Sequence, residues 1–545
     1  MNRDPSAGEG GGAAAEGRPG LVRAAGVVGA ATLLSRALGY LRDMTIARYF
    51  GAGLASDAFI AAFRIPSLLR ELLGEGALSA SFIPVFAGEA ARAGRERAMR
   101  LAGAAFTALA GATLALSLLG ILLAPALVTV VAPGFRAIPG KWELTVTLTR
   151  WMFPFLCLVA LAALLGGVLN AQGHFVAPAL APAVFNVGMI GLTILLVPRI
   201  TPPVMALPLG VLLGGAAMLA LQIPLCVRRG FPGPRWPHPS DPGLRQIGRL
   251  MLPATAGLGV TQVNVWLSGL LASFLAQGSI SYLFYAMRLI QFPIGVIGVA
   301  IGTVALPAMS AGAARRAPHE VAQTLRSGLR LALFFTAPAL VGLGAFARPI
   351  VRVLFERGAF TAEATAATSL VLLGYLAGLI FYVSNRVLTT AFYAFQDTRT
   401  PFHAGAVAVG VNILGGWALM GPLEAAGLAL GTALASLANS ALLLGGLRSH
   451  LGPWMDGKFL EALARVGAAA ALAGGIALGV QAWAPLEPVG GVRETGTLLA
   501  ELGATGIAYL VLARALGCQE IGWAAQALRK RGRTGAIGGA FEIDA

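Results

Sequence analysis

Lysine is nearly missing from this chain. It occurs only at positions 141, 458 and 530, so arginine carries almost all the positive charge. Acids are scarce too, and all charged residues together make up 12% of the sequence. That leaves no polar stretch large enough for an ordinary soluble domain. The three cysteines, Cys157, Cys226 and Cys518, lie far apart in or beside apolar segments. Their spacing excludes a disulfide framework and a metal site, and they read as packing residues. No Walker A run is present, which argues against an ATP site. The first twenty residues, MNRDPSAGEGGGAAAEGRPG, lack the apolar core of a cleavable signal and read as a disordered tail.

What remains is apolar. Hydrophobic residues make up 57% of the chain and the mean hydropathy is +0.76, which is the composition of a polytopic membrane protein. In a soluble protein a net charge of +16 would point to nucleic acid. Here it marks loops that hold a topology, and no nucleic-acid partner is expected. Cutting the chain at charged or Gly/Pro-rich breaks gives fourteen runs of spanning length, the first at 25–48 and the last at 495–515. Arginine collects after the even-numbered runs: Arg92, Arg95, Arg97 and Arg100; Arg228, Arg229 and Arg235; Arg315 and Arg316; Arg448 with Lys458. The positive-inside rule then places both termini in the cytoplasm. Arg348, Arg352 and Arg357, after the ninth run, dissent.

The chain also repeats itself. ALSASFIP ends at Pro84 and IGTVALP at Pro307, while LNAQGHFVAP ends at Pro178 and AFQDTRTP at Pro401; both pairs are 223 residues apart. Gly210, Gly214 and Gln222 recur as Gly427, Gly431 and Asn439. A repeat of six spans keeps its orientation, so the pseudo-twofold axis runs along the membrane normal. The expected fold is all-α, with fourteen transmembrane helices in two six-helix lobes plus two C-terminal helices. The expected domains are a tail at 1–20, lobes at 21–230 and 231–449, two extra spans within 450–515, and a basic cytoplasmic tail at 516–545.

One stretch breaks the pattern. Residues 35–84 hold Arg36, Arg42, Asp43, Arg48, Asp57, Arg64, Arg70, Glu71 and Glu75 in segments otherwise fit for a bilayer. A charged side chain at bilayer depth costs about 2.5–3.5 kcal/mol on insertion scales, so such residues face a cavity or a partner. The second copy of this stretch keeps a single buried charge, Arg288. Asp57 and Arg64 are seven apart and share a helix face, and Pro66 is expected to kink that helix. Static ion pairing is the bland reading. The sharper one is an anion site, because guanidinium groups give phosphate bidentate, permanently charged contacts. Asp397, in the QDT turn, is more in keeping with a helix cap than an ion site.

The run SRALGYLRDMTIARYFGAGLASDAFIAAFRIPSLLRELLGEGALSASFIPVF closely resembles the start of the MurJ/MviN family, the lipid II flippases of bacterial cell-wall synthesis. SYLFYAMRLIQFPIGVIGVAIGTVALP, FPFLCLVALAALLGGVLNAQGHFVAPALAP and AFYAFQDTRTP extend the likeness through both lobes. The resemblance implies the two-lobe fold of the multidrug/oligosaccharidyl-lipid/polysaccharide exporters, sited in the bacterial inner membrane. It implies export of lipid II by alternating access, without a catalytic residue, metal or cofactor. Its substrate-binding arginines fall on Arg36, Arg42, Arg70 and Arg288, with Asp57, Arg64, Glu75 and Ser281 supporting the cavity. Where the family often has Glu, this chain has Gln291. Spans 13 and 14 would line a groove for the polyprenyl tail. Lipid II, membrane lipids and proteins of cell-wall synthesis are the implied partners, and coupling to the membrane potential, H+ or Na+ stays open. The rival readings are export of another polyprenyl-pyrophosphate glycan, a drug-cation exporter, or a membrane glycosyltransferase or polymerase. The drug exporter would not need the arginine excess, and the enzyme would need catalytic carboxylates on a sizeable outer loop.

Overall fold

The computed structural model describes residues 17–71, 78–238, 241–483 and 491–523. All regular structure among them is helical, as an apolar surround demands, because a helix satisfies its backbone within one segment. The first seven helices are α1 (Gly17–Phe50), α2 (Leu54–Arg70), α3 (Leu78–Val131), α4 (Lys141–Met152), α5 (Phe155–Ala171), α6 (Val176–Leu196) and α7 (Ala206–Arg228). After α8 (Pro242–Ala272) come α9 (Ser279–Pro293), α10 (Val299–Ala314), α11 (Pro318–Ala345), α12 (Ala347–Phe355), α13 (Ala362–Leu376) and α14 (Leu379–Ala394). The chain then runs through α15 (Arg399–Leu451), α16 (Gly457–Trp483) and α17 (Gly491–Ala515). Two compact units form. One comprises the chain up to Ile46, Ala58–Val131 and Ile138–Val263; the other takes Ala47–Asp57, Ala132–Ala137 and everything from Asn264 onward.

Among the described residues, nine helices are long and apolar enough to cross a membrane, or ten if α13 and α14, bent by 41°, form one span. The sequence suggested fourteen. Part of the difference is that α3 and α15 each run through an expected break. The first bends at Gly94 (φ 82°, ψ 165°) and the second at Glu424 (φ 49°, ψ −129°). In addition α2, at 17 residues, is shorter than a span and carries three charges. It continues through Pro66 to Arg70.

The internal repeat is visible in the packing. In the first unit, α7 crosses α6 at Gly214, where a Cβ would come within 2.7 Å of the Phe185 carbonyl oxygen. In the second unit the two limbs of α15 cross at Gly431, where a Cβ would meet the Gly416 backbone nitrogen at 2.6 Å. Gly210 and Gly427 stand four residues earlier, so each crossing is a Gly-x-x-x-Gly contact that lets backbones approach closely. Each unit also has an asparagine that reaches a neighbouring helix. Asn186 on α6 donates to the Ser35 carbonyl at 3.2 Å, and Asn412 on α15 donates to the Ser268 hydroxyl at 2.9 Å. Finally, α2 passes into π geometry at Glu71 and α9 at Ile294, which are again 223 residues apart.

The last two helices are fastened to α11 and α12 at both ends. Arg352 pairs with the nearly buried Glu494 at 2.5 Å. At the other end Arg330 pairs with the fully buried Glu520 at 2.6 Å, and Arg326 with Asp456, also at 2.6 Å. Between them the Tyr509 hydroxyl of α17 donates to the Phe334 carbonyl at 2.9 Å, within an apolar cluster that includes Val341, Ala469 and Ala473. Two of the three dissenting arginines are engaged within this region. Arg352 lies on the short amphipathic α12 against Glu494, and Arg357 donates to the Val353 carbonyl at 2.7 Å.

The glycine crossing makes a direct prediction. Gly431→Val should destabilise the protein by roughly 1–3 kcal/mol, the usual cost of overpacking, because the obstructing atoms are backbone. Gly445→Val, where a Cβ meets nothing within 4 Å, should be neutral. Thermal melting of the detergent-purified variants checks the pair, and equal melting would remove the crossing from the fold's requirements.

Candidate functional site

Two arginines of the charged stretch lie on α1, and the helix separates them. Arg36 and Arg42 are six residues apart, about 240° around an α-helix, and the structure leaves Arg36 exposed and Arg42 buried. Arg42 is held on two sides. Its Nε and Nη2 donate to Asp43 Oδ1 at 3.0 and 2.8 Å, and its Nη1 donates to Asn186 Oδ1 at 3.1 Å. Asp43 is almost wholly buried. A carboxylate there is tolerable only with its cation in place, since removing one partner of a buried pair typically costs about 3–5 kcal/mol. The sequence reading missed Asn186, although its counterpart Asn412 made it discoverable through the repeat.

On α2, Arg64 and Arg70 are half-buried. Arg70 faces its neighbour Glu71 at 3.5 Å, with side chains 24% and 42% exposed. This longer, partly solvated contact contrasts with the close Arg42–Asp43 pair. Glu75 lies outside the described residues.

Asp57 gives the clearest local chemistry. Its carboxylate is buried and accepts from the backbone N–H of Gly278 at 2.7 Å. It also accepts from the Ser281 N–H at 2.9 Å and the Ser281 hydroxyl at 2.7 Å. Gly278 adopts φ 97° immediately before α9, so a carboxylate from another segment caps the amide end of that helix. An anion belongs there, because the first N–H groups of a helix lack internal partners and carry partial positive charge. Asp57 and Ser281, both expected to support a cavity, are therefore direct partners. Two neighbouring contacts seat the same connection. Ala359 N–H donates to the Arg48 carbonyl at 2.9 Å, and a Cβ on Gly51 would overlap the Ala359 carbonyl.

Arg288 follows Ser281 by seven residues on one face of α9. It is half-buried, lies 5.3 Å from the Phe284 ring centroid and donates to Gln291 Oε1 at 3.3 Å. Gln291 is thus engaged with Arg288 as a neutral acceptor. Asp397 is a helix cap: it accepts from the N–H groups of Arg399 and Thr400 at 3.0 Å each and from the Thr400 hydroxyl at 2.7 Å. The Thr400 N–H and then its hydroxyl hold this carboxyl below the usual range. The stabilisation it gives is present above the ordinary carboxylate pKa and fades as pH falls through the lowered one. No cluster of potential metal ligands occurs among the described residues.

Comparison with known proteins bears on most of the chain. The family model described as lipid II flippase MurJ matches residues 46–487. A probable lipid II flippase MurJ of Vibrio cholerae is 34% identical over 511 residues, covering 91% of this chain and 96% of its own. The lipid II flippase MurJ of Burkholderia cenocepacia is 36% identical over 437 residues, covering 79% and 84%. Among solved structures, a lipid II flippase MurJ in an inward closed conformation matches with TM-score 0.72 at 26% identity, over 89% of this chain and 97% of that one. An inward-facing multidrug transporter of the MATE family and MOP superfamily matches with TM-score 0.62 at 14% identity, over 76% and 94%; this likeness speaks to the fold alone.

The cap makes the second prediction. Asp57→Ala should cost about 0.5–2 kcal/mol, as loss of an N-cap does, while Asp57→Asn, which keeps an acceptor, should cost less. Thermal melting of purified protein orders the two, and an Asp57→Ala variant melting like the parent would exclude the capping role.

Proposed function

The chain belongs to the lipid II flippase MurJ family, and from that premise we propose how its membrane-embedded charge serves lipid II export. The protein is a multi-pass flippase of the bacterial inner membrane and not an enzyme. Arg36, Arg42, Arg70 and Arg288 bind the pyrophosphate of lipid II. Arg42 is pre-set by Asp43 and Asn186, whereas the looser Arg70 and the half-buried Arg288 adapt to the ligand. Asp57 and Ser281 act through α9, by fixing the start of the helix that carries Arg288. Arg64 and Glu75 support the same site. The observation that carries the reading is the concentration of arginine, matched only in part by acid, in a chain whose family moves a polyprenyl pyrophosphate.

Several finer features belong to this proposal. Fourteen spans result if α1, α2 with the start of α3, the rest of α3, α4–α5, α6, α7, α8 and α9–α10 each count once. The others are α11, α13–α14, the two limbs of α15, α16 and α17. The spans form lobes at 21–230 and 231–449. The helices within 450–515 flank the polyprenyl tail, and both termini are cytoplasmic. With the cell interior negative, outward movement of each negative charge is favoured by about 2.3 kcal/mol per 100 mV. The potential can thus assist export without nucleotide hydrolysis, alone or with H+ or Na+.

Arg70→Ala and Arg288→Ala should each abolish complementation of a flippase-depleted strain while the protein still reaches the membrane at normal levels. Labelled lipid II translocation in proteoliposomes, with and without a potential, should fall in parallel. Normal growth on both variants would sink the arginine clamp.

A further inference from the structure

The connection between α7 and α8 holds one side chain in an unusual place. Trp236 is 90% exposed, yet the segment around it is tightly seated. Phe231 is buried against Phe106, ring centroids 5.9 Å apart, within the core of the first unit. Arg235 N–H donates to the Gly103 carbonyl on α3 at 3.2 Å, and a Cβ on Gly103 would come within 2.7 Å of the Gly233 carbonyl oxygen. Prolines at 232, 234 and 237 fix φ along the run. The loop therefore presents its indole outward from a fixed support.

The charge around it is one-sided. Residues 228–249 contain Arg228, Arg229, Arg235, Arg245 and Arg249 against one acid, Asp241. That acid is already engaged: it pairs with Arg97 at 2.8 Å and caps α8 through the Gly243 N–H at 2.9 Å. Arg245 and Arg249 are both exposed, lie four residues apart and so share a face of α8 within its first turns. Like charges at that spacing destabilise a helix, and cations near the amide end oppose its dipole. An anionic surface beside them eases this repulsion.

We propose that the α7–α8 connection docks on the anionic phospholipid surface of the inner leaflet, with Trp236 entering the headgroup layer and the flanking arginines meeting lipid phosphate. The partner's chemistry follows from the residues. An indole is at home where an apolar body and a polar edge are both accommodated, which is the membrane interface. Clustered arginine beside a membrane segment selects anionic headgroups. The location agrees, since the segment directly follows α7, a helix long and apolar enough to cross a membrane. Neither the arginine clamp nor lipid II binding is needed for this docking, so the two ideas fail separately.

Fluorescence in nanodiscs tests it. The chain has eight tryptophans, so the emission of Trp236 is taken as the difference between the protein and its Trp236→Phe variant, a change at an exposed position. In phosphatidylcholine mixed with phosphatidylglycerol, that difference spectrum should be blue-shifted and quenched by lipids brominated on their acyl chains. Quenching should fall roughly twofold in high salt and in the Arg245→Gln/Arg249→Gln variant. Equal quenching in phosphatidylcholine alone would overturn the anionic selectivity. A difference spectrum of water-exposed emission, quenched by iodide but not by brominated lipid, would overturn the docking itself and favour a soluble protein as the occupant.

Discussion

The three donors gathered on Asp57 show the constraint under which the rest of this structure is built. Polar groups inside an apolar surround must find their partners within the protein, because water is not there to supply them. One carboxylate meets that demand for the open amide end of α9, and thereby fixes the helix that bears Arg288. Asp241, Asp397 and Asp456 do the same for α8, α15 and α16. Among the described residues these four acids are thus helix caps.

The second demand on acid is the pairing of buried arginine. Asp43, Glu494 and Glu520 are nearly or wholly buried, and each faces an arginine at 2.5–2.8 Å. Such pairs are rigid, since parting either partner leaves a charge in a poor solvent. Arg70 and Arg288 differ in kind. Their contacts, with Glu71 at 3.5 Å and Gln291 at 3.3 Å, are longer and partly solvated.

Repetition decided how the small residues are used. Gly214 and Gly431 occupy matching places in the repeat, each at a crossing where backbone contact leaves no room for a Cβ. Charge did not follow the repeat: the first copy of the α2/α9 segment holds most of it, and the second keeps Arg288. The two units thus share these packing elements and differ in their polar chemistry.

Much of this was legible in the residues alone. Hydropathy fixed an all-helical membrane protein, the 223-residue offset fixed the repeat, and the arginine-rich stretch with its family likeness pointed to lipid II. These signals are local or periodic, so one-dimensional reading detects them. The partners of each charge were not legible. Arg42 and Arg36 look alike in sequence, yet one is locked against Asp43 and Asn186 and the other is exposed. Nothing local joins Asp57 to Gly278 and Ser281, more than two hundred residues away. Pairing of this sort depends on which helix faces meet in three dimensions, and that is set by packing of the whole unit.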